Sequence, residues 1–135
     1  MKKLFFFIVC LFACSVISTE LKAQSAPVVY KDWEMLIESN TLLDVSYRVI
    51  KCDATPQIHL LIFNENVYDQ TAAFDLEITD VASGQKFVKS ISFSAKKTTV
   101  YKALCDSDAS LNALKFDLPS GYNPSSLSVK ITLKQ

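Results

Sequence analysis

Beyond residue 27, apolar side chains recur at every second position in a series of short runs. A period of two is the mark of β-strands with one buried face. Trp33, Met35 and Ile37 are set against Glu34, Leu36 and Glu38. Val45, Tyr47 and Val49 are set against Ser46, Arg48 and Ile50, in a segment that ends at Cys52. Phe74, Leu76 and Ile78 alternate with Asp75, Glu77 and Thr79, and within 87–93 Ile91 and Phe93 alternate with Ser90 and Ser92. Leu114, Phe116 and Leu118 flank Lys115 and Asp117, and a final run sets Leu127, Val129, Ile131 and Leu133 against Ser128, Lys130, Thr132 and Lys134. Ile58 to Phe63 is apolar on both faces, which predicts a central strand, and Thr98 to Cys105 opens with the β-branched and aromatic residues that strands favour. Gly84 in Ala82-Ser83-Gly84-Gln85 and the cluster Ser120-Gly121-Tyr122-Asn123-Pro124 mark turns. Short strands with no helical pattern longer than a turn or two predict an all-β, antiparallel two-sheet sandwich of about seven to eight strands. Too few inward positions remain to line a ligand-holding barrel.

The first two dozen residues stand outside that pattern. Lys2 and Lys3 precede an apolar run from Leu4 to Ala13 that continues weakly through Val16 and Ile17. A charged start and a short apolar stretch make a helical secretory signal, too short for a membrane span. Leu21-Lys22-Ala23 offers a cut after Ala23, so the expected organisation is a leader over 1–23 and a single domain over 24–135. A competing reading takes Leu11-Phe12-Ala13-Cys14 as a lipobox, although Phe12 is bulky for it. Lipidation at Cys14 would then anchor the chain to a membrane surface. Either route exports the domain, to the periplasm or beyond the cell.

Losing 1–23 removes three of the fourteen basic residues and one of the fourteen acidic ones, which turns a neutral chain into a domain of net charge −2. It also removes Cys10 and Cys14, leaving Cys52 and Cys105. Two cysteines in an oxidising compartment are expected to pair. Their wide separation, without a Cys-x-x-Cys, marks a structural bond rather than a redox centre.

Several chemistries lack their residues. Balanced charge gives no field for nucleic acid. Nucleophilic triads need a base held against a nucleophile, and the one histidine, His59, lies inside the doubly apolar strand. There it is expected to be semi-buried and hydrogen-bonded to a neighbour. No Gly-x-Ser-x-Gly occurs, and Gly84 and Gly121 are too isolated to cradle a phosphate. With both cysteines oxidised, zinc would lack soft ligands. Asp106-Ser107-Asp108 supplies two carboxylates where calcium takes six to eight oxygens, and it reads as a solvated loop, as does Asn64 to Asp69. Asp75 and Glu77 read as the wet side of a strand. The expectation is no metal, no cofactor and no enzymatic activity, with a small hydrolase as the remote alternative.

Binding surfaces fare better. Tyr30, Trp33, Tyr68, Tyr101 and Tyr122 are amphipathic aromatics of the kind enriched at interfaces. Tyr68 and Tyr122 fall in predicted loops, where binding residues gather on a rigid scaffold. With Trp33 they form the candidate interaction surface; the competing expectation is that Trp33 caps the core and the tyrosines lean on sheet edges. Lys96, Lys97 and Lys102, near Lys86 and Lys89, read as edge-strand lysines that discourage sheet-to-sheet association.

Together, the signal ending Lys22-Ala23-Gln24, the Trp33 strand, Asp44 to Cys52, Leu60 to Asn64, the late Cys105 and Asn123 to Thr132 resemble small secreted proteins of Bacteroidetes-type bacteria. The resemblance implies an immunoglobulin-like β-sandwich in the periplasm or outside the cell, and no particular activity. The chain departs from antibody-type domains in order, since Trp33 precedes both cysteines and Ala103 stands where a corner tyrosine would sit. That departure argues against a disulfide joining the two sheets. The leading functional expectation is a monomeric, non-enzymatic binding module for a protein or glycan partner. The alternative is a periplasmic accessory or assembly protein that docks by strand addition along Leu127 to Leu133.

Overall fold

The computed structural model describes residues 26–38 and 41–134. The expected leader over 1–23, with Cys14, lies outside the described residues. Eight strands follow in order: β1 Val28–Glu38, β2 Leu43–Lys51, β3 Pro56–Asn64, β4 Gln70–Asp80, β5 Lys86–Ala95, β6 Thr99–Lys102, β7 Lys115–Asp117 and β8 Leu127–Leu133. A 3-10 helix, Ala109–Leu114, precedes β7. The strands form two antiparallel sheets packed as a sandwich. One has the order β1-β2-β3-β6, with β7 also on β3, and the other has the order β5-β4-β8. β6 pairs with Leu61 to Asn64 and β7 with Gln57 to His59, so the two share one interrupted edge of β3.

The alternation in the sequence becomes the two inner faces. Val45, Tyr47 and Val49 on β2 lie opposite Ile62, Leu60 and Ile58 on β3, and all six are buried. Phe74, Leu76 and Ile78 of β4 face them from the smaller sheet, with Ile91 and Ala95 of β5. Each fully buried side chain of this size contributes about 1.5–3 kcal/mol relative to exposure. Leu114 and Leu118, on either side of β7, close the core beneath the interrupted edge. The β4–β5 turn is built on Asp80, whose carboxylate accepts from the Ala82 N–H and the Ser83 hydroxyl, while Gly84 takes a φ of 74°.

β1 departs from its simple reading. It begins at Val28 rather than Trp33, and three register shifts against β2 interrupt its alternation. Leu36 and Ile37, adjacent in sequence, therefore both pack on the core, whereas Met35 is 56 % exposed. Each bulge inserts a residue and flips the phase of the residues after it, so a two-residue period cannot be carried through the strand.

The four sheet edges are not alike. Exposed strand edges invite pairing with other chains, and proteins blunt them with bulges, inward charges or short strands. β1 carries the three register shifts and Lys31, which sits over the Tyr47 ring. β5 places Lys89 in register with the buried Leu76, its ammonium over the Phe116 ring. The β6/β7 edge is broken between two short strands. β8 has none of these devices: seven consecutive residues pair in unbroken register with β4, and Leu127, Val129, Ile131 and Leu133 all lie against the core.

Candidate functional site

The sequence candidates occupy three separate places. Trp33 lies on the outer face of the larger sheet, not as a cap on the core. Its ring is flanked by the Arg48 guanidinium at 4.9 Å and the Lys102 ammonium at 5.2 Å. Beside it, Arg48 and His59 are register partners on β2 and β3. The Arg48 Nη2–H donates to His59 Nδ1 (3.3 Å), which leaves the proton on Nε2 to donate to Gln57 Oε1 (3.0 Å), and Gln57 in turn donates to Asp117 (2.8 Å). His59 is buried, and burial first and the Arg48 charge second push its pKa down to about 4, against a partial opposing pull from the Ala103 backbone. It is therefore neutral at pH 7. Arg48 is itself held below its usual range by burial, and its Nε has no hydrogen-bond partner among the described residues.

Cys52 and Cys105 form a disulfide that spans 53 positions. Cys52 follows β2 and Cys105 follows β6, so both ends belong to the larger sheet and the bond does not join the two layers. Cys52 Sγ lies 3.8 Å from His59 Nε2. With Val29, Arg48, Ile50 and Leu104 the disulfide borders an open depression of ≈ 660 Å³.

Tyr122 sits at one end of the sandwich, in the β7–β8 connection. It meets Phe87 edge-on at 5.6 Å, and Phe87 meets Phe116 at 6.3 Å, so the ring closes the core rather than reaching outward. Tyr68 is at the opposite end, in the β3–β4 loop. It is 59 % exposed and its neighbour Val67 is 82 % exposed.

That opposite end is unusually constrained. Asn64 is fully buried at the tip of β3, and its amide nitrogen donates to the carbonyls of Tyr68, Ala95 and Lys96. Its oxygen accepts from the backbone and side chain of Asn66 and from Gln70. Asn66 also donates to the Thr41 carbonyl at 2.7 Å. The loop thus ties the β1–β2, β3–β4 and β5–β6 connections together. Among the described residues, the two non-glycine positions with positive φ, Leu42 at 55° and Thr98 at 48°, are both bonded to this loop: the Leu42 carbonyl accepts from Glu65 and the Thr98 N–H donates to Asn66. A β-branched residue in that region is a true outlier, and such conformations persist only where surrounding contacts enforce them. Asp69 completes the rim by accepting from Lys96 and from the Lys97 backbone, which holds its carboxyl below the usual range.

The polar stretch Asn64 to Asp69 was legible in the sequence only as a weak loop. The signal for its role is the change at Asn64, where an inward position of a strongly apolar strand becomes an amide.

The remaining candidates have local roles. Asp108 caps the 3-10 helix by accepting from Ser110, which lowers its pKa. Asp75 pairs with Lys134, and Glu77 with Lys86. Lys86 and Lys89 lie on the β5 edge and Lys102 on the β6 edge. Among the described residues no three His, Cys, Asp or Glu side chains converge as a metal site, and no helix is long and apolar enough to cross a membrane. Comparison with known proteins finds no matching family model, no matching curated protein and no matching solved structure.

Proposed function

We propose that this chain is an exported, non-enzymatic, immunoglobulin-like interaction module that contacts a protein partner through the Val67–Tyr68 tip. The observation that carries this reading is the strained, densely hydrogen-bonded end of the sandwich. It holds two apolar side chains in solvent, where burial alone would not place them. A contact surface fixed before binding loses little ordering entropy on association, and a tyrosine on a rigid loop is a common anchor. Val67 and the exposed Leu42, whose carbonyl is bonded to the same loop at Glu65, favour a protein surface over a glycan, which would be better served by flat rings alone. Export agrees with the disulfide, since such bonds persist in oxidising compartments. The non-enzymatic reading is supported by His59, whose two ring nitrogens are both engaged inside the sheet.

The test is quantitative capture from an envelope extract with the wild-type chain, Tyr68→Ala and Tyr122→Ala. A partner held by wild type should be lost with Tyr68→Ala while the melting temperature stays unchanged. Tyr122→Ala should instead lower the melting temperature and keep the partner. A partner that remains on the Tyr68→Ala protein refutes the reading. Intact mass of the recovered chain tests export, with Gln24 as first residue expected for cleavage and a lipidated Cys14 for anchoring.

A second reading, docking by strand addition, is favoured by one observation: β8 is hydrogen-bonded to β4 alone among the described residues and has neither the register shifts of β1, the inward lysine of β5 nor the interruption of the β6/β7 edge, its own Lys130 lying on the outward side.

A further inference from the structure

Resting on that second reading, we infer that the β8 edge accepts an extended peptide in which apolar and acidic residues alternate. Three observations specify the partner. First, β8 and β5 both pair with β4 in a continuous, unbulged register, but β5 sets Lys89 on its inward side opposite Leu76 whereas β8 carries no charge there, and strand addition draws its affinity from such a row of unpaired backbone groups. Second, the side chains of Leu127, Val129, Ile131 and Leu133 point to the core yet are only partly buried. A neighbouring strand with apolar residues at alternate positions would finish covering them. It would also make the smaller sheet four strands across, the width that β1, β2, β3 and β6/β7 give the larger sheet.

Third, the outward side of β8 carries an unneutralised cation. Lys134 is paired with Asp75 across the β4–β8 ladder. Lys130 stands in register with Glu77, but the Glu77 carboxylate turns the other way, to Lys86 on β5 at 3.0 Å. Lys130 is exposed and has no ion pair among the described residues. An acidic residue on an incoming strand would sit beside it, and cross-strand pairs of opposite charge favour one register and one partner over others. The molecule already displays this pattern in the strand that β8 chose internally: Phe74-Asp75-Leu76-Glu77-Ile78 of β4.

The probe is therefore the β4 sequence itself, a fluorescein-labelled peptide QTAAFDLEITD, titrated by fluorescence anisotropy against protein recovered from expression of the full 135-residue chain. Saturable binding is expected. Methylating alternate backbone nitrogens of the peptide should abolish binding in one phase and spare it in the other, because only every second N–H of an added strand bonds to its neighbour. Replacing the peptide's first Asp and its single Glu by Lys should weaken binding about fivefold, and Lys130→Glu in the protein should weaken the acidic peptide and favour the lysine peptide. Tyr68→Ala should change none of these values, which separates this edge from the loop tip. If methylation phase matters but charge does not, strand addition stands and the acidic partner is wrong. If both methylation phases bind equally, or nothing saturates, strand addition at β8 is overturned along with it.

Discussion

The outer faces of the two sheets are built on opposite plans. On the smaller sheet, β4 buries every second residue and leaves the others to short-range pairs, Asp75 with Lys134 and Glu77 with Lys86. On the larger sheet the outer face is itself partly sealed. Trp33 lies between two cations, Arg48, His59, Gln57 and Asp117 form a hydrogen-bonded chain, and the disulfide runs alongside. One face is solvated charge, which contributes little to stability. The other is a second, polar core laid on the back of a sheet, where each group must find a partner or be costly.

That difference predicts where stability is concentrated. The largest effect should come from opening the disulfide on the sealed face. Closing a loop of this length restrains the unfolded chain by about 4 kcal/mol in the chain-entropy account. The double substitution Cys52→Ala and Cys105→Ala should therefore lose about that much in urea unfolding, and reducing agent should do the same to wild type. A loss under about 1 kcal/mol would show that the outer face holds without its staple, and the contrast between faces would fail at its strongest point.

His59 gives the next effect, and its sign follows from the depressed pKa. In the unfolded chain the imidazole titrates near 6.5, whereas in the fold it binds a proton only near pH 4. Between those values the unfolded state holds more protons, so stability rises with pH across the window. The contribution is fully present above about pH 6.5 and is lost as pH falls towards 4. At about 1.4 kcal/mol per pKa unit the loss is up to about 3 kcal/mol. His59→Gln should flatten the slope between pH 7 and 5. The carboxylates with depressed pKa values, Asp69 and Asp75 among them, act in the same direction but lower: their stabilisation is lost as pH falls below the ordinary carboxylate range. An unchanged slope in His59→Gln would mean that the imidazole is not shielded as its partners suggest.

The same contrast explains what the sequence could reveal. β4 was legible residue by residue, because a solvated outer face forces polar residues into every second position. β3 was legible as a strand but not as a site. Its outward residues Gln57, His59, Leu61 and Phe63 do not separate from the inward ones by polarity when both sides are covered. The disulfide was legible from the two cysteines left in the domain, and its position within one sheet was consistent with the order of Trp33 and the cysteines. β1 was misread at Met35 because bulges leave no compositional mark. The loop end was hidden for another reason: Leu42 and Thr98 are not residues that advertise positive φ, and three distant connections meet there only through Asn64 and Asn66.

Trp33 should show a smaller effect, of about 1 kcal/mol for Trp33→Leu. Cation–π contacts at partly solvated sites are worth about 0.5–1 kcal/mol each, and leucine keeps much of the apolar cover. Since this is the single tryptophan of the chain, wild-type emission also reports directly on the sealed face. If Trp33→Leu instead costs as much as a core truncation, about 3 kcal/mol or more, then the ring is part of the main core and the two-face description needs redrawing.

The smallest effect belongs to the solvated face. Glu77→Gln removes the carboxylate that meets Lys86 at 3.0 Å, a pair in which both side chains are more than a third exposed. Exposed pairs of this kind typically contribute about 0.2–1 kcal/mol, less as salt screens them, and glutamine retains the shape and a hydrogen-bond acceptor. The expected change in urea unfolding is at most about 0.5 kcal/mol, and it should vanish in about 1 M salt, where the screening length is only about 3 Å. A larger cost that survived high salt would show that the β4 ladder, too, is buried and cooperative. The substitution also bears on the β8 edge, because Glu77 is the register partner of Lys130. If its carboxylate restrains Lys130 from the rear, Glu77→Gln should tighten binding of the acidic peptide at β8 slightly while leaving the fold untouched. A weaker peptide complex would instead mean that Glu77 orients Lys130 towards the incoming strand.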